Sequence, residues 1–281
     1  MVEREREERS PRVSEDFLRR HINADQRKLV VIFLIRLGTH CQYPSFIIYQ
    51  AVKLFDATMD RIPVKVNYIQ LTALASVWLA LKRQQNFHKI PTASTILSLA
   101  NDQYLGREDL LMYYERKILI ALDFNVTFAD AFSLFAHYLI SCKYYVTISE
   151  KMTTFLYHSG GYLIDLTLLD ENFCRLADSL IALTAMELAL GLVVDAVIDR
   201  ARPRWLFWRG LLFAVAPAIA NKFQDEEIDQ LRVTMLRRIL TSGRNDSGFD
   251  VVYKKYSRSR HGRISVMLLE RASMVSEIET F

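Results

Sequence analysis

Residues 71–82 read LTALASVWLALK, and residues 183–192 read LTAMELALGL. Both stretches are apolar around nearly the whole helical circumference, which is typical of helices buried inside a domain. Their alanines allow neighbouring helices to approach closely. The two stretches begin 112 residues apart. A repeat of this length indicates a duplicated domain rather than a solenoid, because each copy is large enough to hold its own core.

Helical patterns extend outward from both stretches, with apolar residues recurring every three or four positions and few alternating runs. The first copy is predicted to contain helices at about residues 27–40, 45–59, 64–82, 91–99 and 107–124. The second is predicted to contain helices at about residues 129–141, 149–168, 171–194, 204–220 and 225–241. The sequence therefore predicts an all-α protein with two tandem five-helix boxes.

The domain boundaries follow from this pattern. The first box is predicted at residues 25–127 and the second at residues 128–243. Residues 1–24 are rich in charge and are predicted to form a solvated tail, and residues 244–281 a basic C-terminal segment and tail. The pair Gly160-Gly161 lacks a phosphate-binding pattern, so it indicates close helix packing or a kink.

Composition restricts the compartment and the class of partner. The 281 residues carry 36 basic and 32 acidic side chains, and an excess of +4 does not by itself imply a nucleic-acid partner. The three cysteines are far apart and include no CxxC pair, which argues against disulfides and a thiolate zinc site. The charged N-terminus is unlike a signal peptide. We expect a reducing compartment, the nucleus or the cytoplasm or both.

The sequence offers little support for catalysis. It contains no GxSxG, HExxH, phosphate-binding glycine loop or dinucleotide fingerprint, and its six histidines are scattered singly. We predict that the chain is not an enzyme and takes no cofactor, metal or small-molecule substrate. Two apolar stretches, residues 176–198 and 205–220, invite a membrane interpretation, but their internal charges and Pro217 favour core helices without membrane contact.

The order of four motifs resembles the cyclin family. Residues 69–82 are similar to the central helix of the first cyclin box. In the family this helix reads LQL, then small residues, then alanine-serine-lysine. In this chain Leu81 replaces the serine, and Lys82 falls on the lysine. The stretch YLGREDLLMYYERKILIALDFNVTF resembles the fifth helix and its exit, where Glu115 falls on the family's glutamate. The second box resembles paired helices joined by an L-S-L-x-D turn, and YKKYSRSRHGRIS resembles the closing K-Y-x-x-S-x-x-x-G-V-S segment. The resemblance covers about residues 25–267.

The resemblance implies that Lys82 and Glu115 receive the mobile helix of a cyclin-dependent kinase. It therefore implies a regulatory subunit that binds and allosterically activates such a kinase, in cell-cycle or meiotic control, including crossover formation. Where the family has an aromatic residue and an acidic pair after the lysine, this chain has Arg83-Gln84-Gln85. The missing carboxylates predict an unusual choice of kinase.

The resemblance also locates the family's substrate-docking patch, M-R-A-I-L-x-x-W. The docking residues that it implies here are Arg27, Leu29, Val30, Phe33 and Gln70. Because the apolar character of the patch is only partly retained, we expect substrates to be recruited differently.

The closing segment has a basic run that leaves two interpretations open. Its cations are Lys254, Lys255, Arg258, Arg260 and Arg263, and two tyrosines are interleaved with them. We favour a solvated segment that packs over the second box, with no nucleic-acid partner. The alternative is a nucleic-acid-associated or transcription-related factor of the same fold that does not activate a kinase.

Overall fold

The computed structural model describes residues 10–83, 90–100, 103–195, 203–217 and 222–279, with side chains to residue 275. These residues form helices and connecting turns, and no strand occurs among them. The chain divides into two compact units, one made of Met1–Asp130 with Asp170–Arg175 and the other of Ala131–Leu169 with Leu176–Phe281. The predicted all-α class is confirmed.

The described part of the first unit contains six α-helices. They are α1 (Phe17–Arg20), α2 (Ala24–His40), α3 (Ser45–Arg61), α4 (Ile69–Lys82), α5 (Ala93–Leu97) and α6 (Glu108–Ala121). Helix α4 lies at the centre and packs against α3 and α6. Its small polar residues are satisfied within the helix, because the hydroxyls of Thr72 and Ser76 donate to carbonyls four residues earlier at 2.8 and 2.9 Å. The helix can therefore be buried on all sides.

The described part of the second unit contains seven α-helices. They are α7 (Ala131–Cys142), α8 (Glu150–Leu168), α9 (Asp178–Ala189), α10 (Trp205–Val215), α11 (Asp225–Ser242), α12 (Asp250–Tyr256) and α13 (Ile264–Glu279). Helix α9 is central, packs against α7, α8 and α11, and continues into a π-turn at Leu190–Val194. The two repeated stretches thus form the central helix of each unit, as the sequence predicts. Among the described helices, none has the combined length and apolarity of a membrane span.

Both terminal segments pack against the unit to which they belong. Within residues 10–24, Phe17 and Ile22 are buried, and the hydroxyl of Ser14 donates to Asp60 at 2.5 Å. Near the other end, α12 and α13 pack against α8 and bury Tyr256 and Leu268. Apolar residues scattered among charges are enough to attach each segment to its unit. Residues 10–24 are therefore not a solvated tail, and the closing segment packs on α8 of the second unit.

The glycine pair in α8 marks a close approach of helices, one of the two interpretations that the sequence left open. A Cβ atom on Gly160 would lie 2.2 Å from the ring of Phe135 in α7. A Cβ atom on Gly161 would lie 2.6 Å from the hydroxyl of Tyr256 in α12. The absence of side chains at these positions therefore allows α7 and α12 to pack on α8.

Candidate functional site

Lys82 and Glu115 meet at the surface of the first unit. Lys82 is the last residue of α4, and Glu115 projects from the middle of the neighbouring α6. The Nζ atom of Lys82 donates to both carboxylate oxygens of Glu115, at 2.7 and 2.9 Å. The side chains are 32% and 14% exposed, so Glu115 is less accessible than Lys82.

An aromatic ring holds the lysine in place. The Nζ atom of Lys82 lies 3.3 Å from the centroid of the Trp78 ring, one helical turn earlier. The indole of Trp78 is itself fixed, because its Nε1 donates to the carbonyl oxygen of Pro91 at 2.9 Å. A cation over an indole is stabilised by about 0.5–1 kcal/mol at exposed sites. Sequence analysis missed Trp78, although its four-residue spacing from Lys82 could have indicated the contact.

Helix α6 presents apolar side chains beside the ion pair. Met112 and Leu119 lie three and four residues from Glu115 and so share its face. Met112 is 52% exposed and Leu119 is half-buried. Phe124, just beyond the helix, is 68% exposed. The surface around Glu115 therefore combines one charge pair with apolar contacts, a combination suited to receiving a helix of another protein.

Arg83 turns away from this surface. Its Nη1 atom donates to Oε1 of Gln50 at 3.3 Å, and Nε2 of Gln50 donates to buried Asp130 at 2.9 Å. Burial lowers the pKa of Arg83, and the charge of Asp130 opposes that shift. Arg83 therefore anchors the end of α4 inside the unit, while Gln84 and Gln85 lie outside the described residues.

The structure places the predicted docking residues in different environments. Leu29 is 68% exposed, and Val30, Phe33 and Gln70 are half-buried. The prediction that Arg27 is a docking residue is wrong, because the side chain of this α2 residue is buried.

The guanidinium of Arg27 donates to both oxygens of Asp56 in α3, at 2.9 and 2.7 Å. Both side chains are almost fully buried. This bidentate pair satisfies a charge that would otherwise be costly inside the unit. Arg27 therefore joins two helices and is not available to a partner.

The basic C-terminal run contains two lysines that form ion pairs and three exposed arginines. Lys255 is buried and its Nζ lies 2.7 Å from Asp165 of α8, while Lys254 pairs with Asp250 at 2.6 Å. The remaining members are exposed: Arg258, Arg260 and Arg263. The lysines thus contribute little to the surface potential of this segment.

Two of the histidines that are scattered in the sequence come together in the fold. Nδ1 of His158 lies 3.5 Å from Nδ1 of His261, although the residues are 103 positions apart. No sequence signal predicts this contact. Within the described residues, no group of three or more histidine, cysteine, aspartate or glutamate side chains is arranged to hold a metal ion.

Comparison with known proteins agrees with the fold and with the motifs. The family described as "Cyclin, N-terminal domain" matches residues 1–127. The G2/mitotic-specific cyclin-B of Emericella nidulans is 23% identical over 244 residues, which cover 86% of this chain and 44% of that protein. The G2/mitotic-specific cyclin-B of Hydra vulgaris is 24% identical over 247 residues, which cover 88% of this chain and 60% of that protein. The chain thus spans about half the length of these curated relatives.

A solved structure extends the similarity to the second unit. The viral cyclin from herpesvirus saimiri matches with a TM-score of 0.65 at 17% identity, covering 91% of this chain and 97% of the viral chain. That likeness concerns the fold, and the family match concerns the first unit. Residues 1–127 thus match the cyclin N-terminal domain family, and the fold of the chain is similar to that of a viral cyclin.

Proposed function

We propose that this chain binds and allosterically activates a cyclin-dependent protein kinase through the surface that contains Lys82 and Glu115. One observation carries the proposal: these residues are 33 positions apart, lie on different helices, and meet at 2.7 Å at the surface. An exposed ion pair contributes only about 0–1 kcal/mol to folding. Its contribution to the stability of the fold therefore does little to explain why the pair is present, whereas binding of a partner would explain it.

The geometry suits a helix end or loop of a kinase. The ammonium of Lys82 has three donors, and the carboxylate of Glu115 can accept more hydrogen bonds than Lys82 supplies. The pair can thus offer a donor and an acceptor to backbone groups of a partner. Trp78 holds Lys82 in position, which lowers the entropy lost on binding. Exposed Met112, three residues from Glu115 on the same helix, would add apolar contact at the same surface.

The chain would act through the conformation of the kinase and contribute no reacting group. A kinase is active when its mobile helix is held inward, since this position completes a lysine–glutamate pair needed for phosphoryl transfer. A surface that binds the inward position better than the outward one shifts the population toward the active form. The match of residues 1–127 to the cyclin N-terminal domain supports such a regulatory, non-catalytic role.

The biological setting that we propose is cell-cycle or meiotic control, including crossover formation, in the nucleus, the cytoplasm or both. The mitotic names of the two relatives support the cell-cycle part. Divergence supports a specialised role: Arg83 is turned inward, and the predicted docking patch is only partly apolar and exposed.

Affinity capture with a paired variant tests the proposal. We expect wild-type protein to retain a cyclin-dependent kinase, identified by mass spectrometry, and Lys82→Ala/Glu115→Ala to retain at least tenfold less. Charged contacts that are desolvated in an interface typically contribute about 2 kcal/mol or more. Titration calorimetry with the identified kinase then measures the change in affinity.

The ion pair Lys143–Glu150 provides a matched control. Its Nζ–carboxylate distance is also 2.7 Å and its lysine is also 32% exposed, but it lies in the second unit. Lys143→Ala/Glu150→Ala should bind the kinase as wild type does. Both variants should keep melting temperatures within the small range of surface substitutions. Equal kinase affinity of the wild type and Lys82→Ala/Glu115→Ala would contradict the proposal.

A further inference from the structure

Three arginines of the second unit lie exposed on one turn without acidic partners. The turn at residues 258–263 joins α12 to α13 and contains the 3-10 helix Ser259–His261. Arg258, Arg260 and Arg263 are exposed, and across the described chain no aspartate or glutamate pairs with them. Because Lys254 and Lys255 are neutralised by Asp250 and Asp165, the positive potential here comes from the arginines.

The arginines lie close together along the backbone of this turn. Gly262 has φ +64° and Arg263 has φ +54°, two consecutive residues in the left-handed region. A side chain other than glycine rarely adopts that conformation. These two residues separate the 3-10 helix from α13, so the backbone positions of Arg258, Arg260 and Arg263 fall within six residues of one turn.

Beneath the turn lies a neutral histidine pair. Nε of Arg260 donates to Nε2 of His261 at 3.1 Å, so that nitrogen carries no proton. The proton of neutral His261 is then on Nδ1, which faces Nδ1 of His158 at 3.5 Å. Burial, followed by interactions with His158 and with the cations Arg260, Lys255 and Arg258, lowers the pKa of His261 to about 4. The surrounding cations thus oppose protonation of His261, and a bound anion would offset their charge.

We propose that the turn formed by residues 258–263 binds a phosphorylated segment of a protein partner, with its three arginines contacting the phosphate and any flanking carboxylates. A guanidinium matches the geometry of a phosphate with two parallel hydrogen bonds. A phosphoserine carries a charge of about −1.5 to −2 near pH 7. Three arginines on one turn are sufficient to neutralise one such group.

A nucleic acid fits this surface less well. Proteins that bind DNA strongly neutralise about 6–10 phosphates along an extended surface. Here the two lysines that could extend the basic surface are paired, which leaves three cations on one turn. The site lies in the second unit, and the proposed kinase surface lies in the first, so the two proposals can fail independently.

Peptide binding tests the inference directly. The probe is a pool of short peptides with a fixed central phosphoserine and degenerate flanks, compared by fluorescence anisotropy with the same pool carrying serine. We expect the phosphorylated pool to bind at least tenfold more tightly. Arg258→Gln/Arg260→Gln/Arg263→Gln should lose about tenfold or more of that affinity, since hydrogen bonds to charged groups are among the strongest.

A control variant removes the same number of exposed cations elsewhere in the second unit. Lys222→Gln/Arg237→Gln/Arg244→Gln should keep the affinity of wild type, because these exposed side chains belong neither to the turn nor to α8, the helix whose Phe155 lies against Gly262. If the glutamine variant of the turn fails to fold, the triple lysine variant Arg258→Lys/Arg260→Lys/Arg263→Lys tests the same prediction. It keeps the charge but loses the planar fork, and it should bind the phosphorylated pool more weakly.

A second readout separates binding from a structural role. When the phosphorylated pool is added, the pKa of His261 measured by NMR should rise, because an anion offsets the positive charge around the ring. Three results would overturn the inference: equal affinity for both pools, equal losses in the turn and control variants, or tighter binding of duplex DNA or phosphatidylserine vesicles than of the phosphorylated pool.

Discussion

At the scale of single residues, Gly160 shows how closely two helices approach. The substitution Gly160→Ala would place a methyl group 2.2 Å from the buried ring of Phe135, and a packed aromatic ring cannot move far. We expect the free energy of unfolding to fall by about 1–3 kcal/mol, the usual cost of overpacking a core. Urea denaturation of the purified variant measures this change.

Gly210 is the matched control for that substitution. It also lies within a helix, but a Cβ atom there would meet nothing within 4 Å. Gly210→Ala should therefore raise the free energy of unfolding by about 0.5–1 kcal/mol, since alanine loses less conformational freedom than glycine in a helix. Equal effects of the two substitutions would show that the approach of α7 and α8 does not depend on Gly160.

At the scale of one element, helix α10 is unusual because its only charged residue points inward. Arg209 is buried and donates to Glu187 at 2.8 and 3.2 Å, to Asp225 at 3.0 Å and to Asp229. Arg209→Met would leave the fully buried Glu187 with Arg232 as its remaining ion-pair partner, at 2.8 Å. Breaking a buried ion pair by removing one partner typically costs about 3–5 kcal/mol. We expect a loss of this size in chemical denaturation.

The double variant Arg209→Met/Glu187→Met separates charge from packing. It removes the carboxylate of Glu187 together with the arginine, while Arg232 keeps Asp229 at 2.6 Å. It should recover much of the stability, because apolar residues of similar volume can replace a buried ion pair. If the double variant is as unstable as the sum of the two single variants, α10 is held by packing alone and the ion pair has no coupling energy.

At the scale of the whole molecule, the histidine pair makes stability depend on pH. Burial lowers the pKa of His158, and burial with neighbouring cations lowers that of His261 to about 4. In the unfolded chain both titrate near 6.5. Between about pH 6.5 and 4 the unfolded state therefore binds more protons than the folded state, so the free energy of unfolding should fall as the pH is lowered.

Denaturation at a series of pH values checks this dependence. His261→Gln keeps an acceptor for Arg260 without a titrating ring, so its stability should change less between pH 6.5 and 4 than that of wild type. Titration of Asp229 does not contribute to this pH dependence. Burial raises the pKa of Asp229, but hydrogen bonds from Arg209 and Arg232 outweigh burial and lower it. The stability that Asp229 contributes is therefore lost only at more acidic pH. An identical pH dependence of variant and wild type would refute the role of His261.

Some helix boundaries and segments were only partly predictable. The helix expected at residues 204–220 ends at Val215, two residues before Pro217. Residues 10–24 were assigned to a tail because their charges dominate the pattern, although two apolar side chains are sufficient to bury part of them. The first miss arises because Pro217 disfavours a helical conformation at Ala216, which has φ −131° and ψ 69°. The second arises because local composition records the average environment of a segment, whereas one or two buried side chains determine where it packs.

The sequence by itself determined the all-α class, the two repeated units and the central position of α4 and α9, because a helix without a polar face has to lie inside a core. It also predicted, through the family resemblance, that Lys82 and Glu115 belong to one surface. Only the tertiary structure decided which charges pair: Arg27 with Asp56 across 29 positions, and Lys255 with Asp165 across 90. Hydrophobic periodicity is a property of one helix and is readable locally, but an ion pair depends on how two helices pack against each other, which no single segment encodes.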